Sequence, residues 1–152
     1  PLFGVDATLL NNITGKFELR KTRNLSLNIS SYQLEEALSN EFVIGVGYKL
    51  TEFNKVLKMK KTRDFSNDLT IRLDFSYRKM QSLIRKIEDQ FTQATSGNIA
   101  KTIQFSADYG LSRALTLRAF YDLQINEPIV STSSYPTSNS NYGISLRFSL
   151  AQ

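Results

Sequence analysis

The sequence predicts an all-β chain whose long antiparallel strands form a section of a transmembrane β-barrel, about nine strands of a much larger outer-membrane barrel. Three observations carry this expectation. Apolar and polar residues alternate with period two along most of the 152 residues. The alternating segments run to about 10–12 residues, which suits a tilted membrane crossing better than the ordinary globular strand of about 5–6. Short connections alternate with longer ones, as periplasmic turns and extracellular loops do in such barrels.

Neighbouring side chains of a strand point to opposite faces, so each segment has one oily side and one wet side. The expected strands are roughly 2–10, 14–22, 24–35, 40–51, 68–79, 81–91, 98–110, 114–125 and 139–151. Phe17, Leu19, Leu25, Leu27 and Ile29 keep one parity, so 14–31 reads equally as a single long strand. Phe42, Ile44, Val46, Tyr48 and Leu50 share a face of the next. Leu69, Ile71, Leu73, Phe75 and Tyr77 alternate without a fault with Thr70, Arg72, Asp74 and Ser76. Ile103, Phe105, Ala107 and Tyr109 repeat the pattern, and so do Leu115, Leu117, Ala119, Tyr121 and Leu123, with Phe120 as the lone intruder. The last strand sets Tyr142, Ile144, Leu146, Phe148 and Leu150 against Gly143, Ser145, Arg147 and Ser149. No segment carries a convincing helical period, and Tyr32–Leu38 is too short to form a helix by itself.

Turns are expected at Asn11-Asn12, Arg23, Ala37–Ser39, Met80 and Leu111–Arg113, with longer loops at 52–67, 92–97 and 126–138. If the last strand ends in the periplasm, the three long loops and the Arg23 turn are extracellular and the other turns periplasmic. Nine strands is an odd number, whereas bacterial single-chain barrels have even counts. The chain opens at Pro1, and PLFGVDATLL has no basic n-region of a signal peptide. The expectation is therefore a processed product or the carboxyl-terminal part of a longer barrel, residues 1–152 forming one unit with no separate second domain.

Composition narrows the chemistry. The apolar share of 41% and charged share of 22% suit a folded chain, and the net charge of +5 suits an anionic surface as well as it suits solubility. His and Cys are both absent, and no Ser or carboxylate sits in a catalytic or metal-binding spacing, so neither an enzyme nor a cofactor is expected. Gly45-Val-Gly47 lacks the third glycine and the helix of a dinucleotide loop. The segment Lys55, Lys58, Lys60, Lys61 and Arg63 is the richest charge cluster. A solvated loop is its plain reading. Its sharper reading is contact with lipopolysaccharide phosphates, and nucleic acid fits poorly because no aromatic platform interleaves the lysines. The sequons at Asn12, Asn24 and Asn28 are read as chance.

Two burial schemes accommodate such alternation: a soluble β-sandwich, serving as an adhesion or carbohydrate-binding module, or a barrel with lipid outside and water inside. Strand length and the tyrosines and Phe148 collected at strand ends favour the barrel. Leu69, Ile71, Leu73, Phe75, Tyr77, Phe105 and Leu117 would then face lipid, and Arg72, Asp74, Arg118, Asp122 and Arg147 the lumen. Asn141, Gly143, Leu146 and Phe148 fit the loose pattern of a terminal strand that hands a barrel to its assembly machinery, where an exposed edge pairs with it through main-chain bonds.

Several segments also share an order with a known family: SNEFVIGVGYKL, NDLTIRLDFSYR, SADYGLSRALTLRAFYD and VSTSSYPTSNSNYG. Together they resemble the carboxyl terminus of the SprA/Sov family, the giant outer-membrane translocon of the type 9 secretion system in Bacteroidetes, tied to gliding motility. That resemblance implies a protein-conducting barrel and four kinds of partner. These are the rest of its own large chain, a PorV-like shuttle barrel at a lateral opening, a periplasmic plug protein, and secreted cargo bearing C-terminal signals. It implies no catalytic residue. A TonB-dependent or porin-like barrel for small solutes is the nearest alternative.

Overall fold

The computed structural model describes residues 2–9, 12–51, 53, 68–86, 92–112, 114–130 and 135–149. They form one seven-stranded antiparallel sheet in sequential order. The strands are β1 (Phe3–Leu9), β2 (Ile13–Asn28), β3 (Gln33–Leu50), β4 (Leu69–Lys86), β5 (Thr92–Gly110), β6 (Leu115–Pro128) and β7 (Thr137–Phe148). The all-β antiparallel expectation holds, and no helix long and apolar enough to cross a membrane is present among the described residues. The sheet is open: β1 and β7 are its edges.

Seven strands replace the expected nine because two pairs of them fuse. Arg23 lies inside β2, paired with Leu38 of β3, and Ala37–Ser39 is likewise mid-strand. Met80 lies inside β4, opposite both Ser39 and Asn98. Residues 92–97 are the start of β5 and not a loop. The turn between β2 and β3 is at 29–32, where the Asn28 side chain accepts hydrogen bonds from the backbone amides of Ser30 (3.1 Å) and Ser31 (3.3 Å). Tyr32 takes the left-handed conformation there (φ 49°). The turns at Asn11-Asn12 and Leu111–Arg113 fall where expected. Asn12 N–H donates to Leu9 O and Leu115 N–H to Ser112 O, both at 3.3 Å.

With three expected turns gone and one gained at 29–32, the alternation of short and long connections goes too. The ends of segment 51–68 sit at the same sheet end as the turns at 10–12 and 111–114 and the last residue of β7. The basic cluster Lys55, Lys58, Lys60, Lys61 and Arg63 lies outside the described residues.

Register is otherwise regular from β1 to β7. The one shift lies between Ser82 and Leu83, where Thr95 is the extra residue on β5 and donates its hydroxyl to Ser82 O at 3.1 Å. Nearby, β5 and β6 close tightly on Gly97, whose carbonyl accepts from Ile129 N–H at 2.9 Å. A Cβ at Gly97 would stand 3.0 Å from two Ile129 carbons and 3.1 Å from Met80 O, whereas one at Gly15 would meet nothing within 4 Å. Gly97→Ala is therefore expected to lower folding stability by about 1–3 kcal/mol through overpacking, and Gly15→Ala to change it little. Unfolding in denaturant, followed by circular dichroism in detergent, checks the contrast.

Candidate functional site

The register sorts the side chains into two faces. On one face, cross-strand rows read Val5, Phe17, Ile44, Phe75, Ile103, Leu123 and, one level along, Ala7, Gly15, Val46, Leu73, Phe105, Tyr121, Tyr142. Further rows add Leu9, Ile13, Tyr48, Ile71 and Ile144, then Leu50, Leu69, Tyr109, Leu117 and Leu146. These rows form a continuous apolar belt across all seven strands. From Leu69 to Tyr77 it measures roughly 26 Å along the strand, and from Leu115 to Ile125 roughly 33 Å, at the usual rise per residue. A strand tilt of about 40° would reduce these to roughly 20–25 Å, near the apolar band of an outer-membrane barrel.

Nothing in the described structure covers the belt. No apolar side chain is buried, and Leu73 is 49% exposed, Ile144 76% and Leu146 64%. Aromatic rings occur in every row of the belt, with Phe105, Tyr121 and Tyr142 in the same middle row as Leu73, so the tyrosines expected at strand ends are not confined to its margins. Phe42 stacks on Tyr77 (5.5 Å between centroids, 24°) at one margin, and Phe53 meets Tyr109 edge-on (5.7 Å, 77°) at the other. All seven residues expected to face lipid, Leu69, Ile71, Leu73, Phe75, Tyr77, Phe105 and Leu117, lie on this face.

The opposite face is polar. Arg72, Asp74, Arg118, Asp122 and Arg147 all lie on it by register, as does Asn141. Part of its charge is paired, whereas Arg72, Asp74, Asp122 and Arg147 form no ion pair among the described residues. Lys16 reaches Glu18 (3.0 Å), Arg20 contacts both Glu18 and Glu41, and Arg78 reaches Glu41 (2.8 Å). Gly45 and Gly47 floor a groove of about 350 Å³ on this face, bordered by Asp6, Lys16, Arg72 and Asp74. Each glycine leaves room for a neighbour: Asp74 Oδ1 leans over Gly45 and Thr14 Oγ1 over Gly47, where a Cβ would collide with them.

Phe120, the exception in its strand, is on the polar face opposite Gly143 of β7. A Cβ at Gly143 would stand 3.0 Å from Phe120 Cζ, so the ring lies over the glycine and shields its backbone from water. Of the terminal-strand residues, Asn141 and Gly143 are thus on the polar face and Leu146 and Phe148 on the apolar one. The edge of β7 is free to pair within the described sheet.

Beyond one margin of the belt, β2 to β5 run on for many residues, and the pattern changes. The first row is Lys21, Asn40, Lys79, Ile99 and Glu127. Further out, Leu25, Leu27, Leu34 and Leu83 form a smaller apolar patch around Glu36. Glu36 is only 3% exposed and is held between Arg23 (2.5 Å) and Arg85 (2.6 Å). The sequence does not reveal this triad, because it places a turn at Arg23. Among the described residues no cluster of acids fit for a metal ion exists.

No protein-family model matches the chain, and no curated protein matches it.

Removing the Glu36 charge would leave two guanidiniums facing each other across a nearly buried site. Glu36→Ala is expected to cost about 1–3 kcal/mol, a breakage penalty discounted because both arginines are half exposed. Melting temperature measured against an Arg23→Ala control, expected to lose less, checks this.

Proposed function

We propose that this chain forms part of the wall of a protein-conducting channel in a bacterial outer membrane, the closing strands of a translocon of the type 9 secretion kind. The observation that carries the reading is an uncovered apolar belt, about one membrane thick, backed by a polar, charged face. Lipid is the covering that such a belt fits, since a sheet whose apolar rows stop at one latitude and give way to lysines matches a slab of hydrocarbon. A soluble sandwich would have to bring its second sheet from outside the described residues. The family resemblance supplies the cargo, the PorV-like shuttle and the plug protein as proposed partners, and the polar face supplies a hydrated surface on which a passing protein finds no apolar grip.

Orientation follows from the strand overrun. The segment 51–68 joins β3 to β4 at one margin of the belt, at the same end as the turns at 10–12 and 111–114, and β2 to β5 project far past the other. Short turns mark the periplasmic side of such barrels and long hairpins the outside. The C-terminus of β7 is then periplasmic, and β7 is the strand offered for assembly and closure.

Arg in place of Leu73, mid-belt on β4, is expected to cost about 2–4 kcal/mol of stability in bilayers, whereas Ser76→Arg on the polar face changes it by no more than about 0.5 kcal/mol. Phe148→Asp is expected to lower the amount of protein in the outer membrane, and export of proteins with C-terminal secretion signals should fall with it. Undiminished export from cells whose membranes have lost the protein would overturn the translocon reading.

A further inference from the structure

We infer that the outer margin of the belt holds a binding site for a phosphorylated, acylated lipid, built from Lys21, Asn40 and Lys79. The inference rests on the lipid-facing reading of the belt and on the orientation given above. These three residues are direct cross-strand neighbours on β2, β3 and β4. Lys21 and Lys79 are therefore about 10 Å apart at the backbone, two strand spacings, and their long flexible stems let both amines reach one phosphate group. The Asn40 amide stands exposed between them as a further donor.

Charge complementarity selects the headgroup. On this face the last row of the belt carries Lys101, and the strands beyond it carry four cations, Lys21, Arg23, Lys79 and Arg85, against two carboxylates, Glu36 and Glu127. Both carboxylates are already engaged: Glu36 by Arg23 and Arg85, Glu127 by Lys101 at 2.7 Å. Lys21 and Lys79 form no ion pair among the described residues. Glu41, close by, is neutralised by Arg20 and Arg78. Two uncompensated ammonium groups at the edge of hydrocarbon suit an anion held at headgroup height.

The tail has its place as well. Directly inward of Lys21 lies an apolar groove of about 250 Å³, walled by Leu2, Leu19, Phe42 and Tyr77. A lipid whose phosphate sits on the lysines would lay an acyl chain along it. Lipid A, which joins phosphate to several acyl chains, has this chemistry.

The test is binding of bisphosphorylated lipid A, and of the same lipid enzymatically dephosphorylated, to the full protein in nanodiscs, read by native mass spectrometry. The wild type is expected to retain the bisphosphorylated form preferentially, and Lys21→Gln combined with Lys79→Gln to weaken that preference about tenfold or more. Lys16→Gln, on the polar face, should leave it unchanged. Equal retention of both lipids by the wild type, or an unaltered preference in the double variant, overturns the site while leaving the belt in bilayer. A wild-type protein that never enters the nanodisc overturns the belt reading and the site together.

Discussion

Everything in this fold depends on removing one apolar face from water. Seven strands are laid side by side in a single layer, and no apolar side chain among the described residues is buried. Backbone hydrogen bonds between strands fix the register but contribute little net stability in water, because the unfolded chain is already hydrogen-bonded to solvent. Burial of the belt residues is the large favourable contribution still open to the sheet, at about 25 cal/mol per Å². Whatever covers the belt therefore stabilises the fold, and in the function proposed above that covering is lipid.

The other face obeys a complementary rule. It carries charge in place of apolar side chains, part of it held in one ion-paired network, while Arg72, Asp74, Asp122 and Arg147 stand outside that network. Lys16, Glu18, Arg20, Glu41 and Arg78 form a connected run over three strands. Glycines at 45 and 47 let Asp74 and Thr14 fold across the sheet, which keeps this face low between its charged rows. Phe120 over Gly143 does the reverse, spending an aromatic ring to protect the backbone near the free edge.

Alternation within each strand was plain in the sequence, and so were the two faces. The seven residues expected to face lipid share one face, and Arg72, Asp74, Arg118, Asp122 and Arg147 share the other. Strand ends were harder. The three turns wrongly expected, at Arg23, Ala37–Ser39 and Met80, fall on one latitude of the sheet: Arg23 pairs with Leu38, and Ser39 with Met80. At that latitude the apolar face gives way to Lys21, Asn40, Lys79 and Gln81. A loss of apolar residues looks the same in sequence whether the chain turns or simply leaves the belt, and only cross-strand pairing separates the two. The Glu36 triad was hidden for the same reason, since its three members come from three strands. Phe120 was visible as an intruder, but its partner Gly143 is on another strand and no local signal connects them.

The absence of cysteine from the 152 residues makes the central claim directly measurable. Single cysteines placed along β4 at 69, 71, 73 and 75, and at 70, 72, 74 and 76, can be probed in intact membranes with a water-soluble maleimide. A lipid-covered belt predicts that the odd positions stay unlabelled until the membrane is dissolved and the protein unfolded, while the even positions react from the aqueous phase. Labelling of both sets alike in intact membranes, or of the odd set alone, would contradict it.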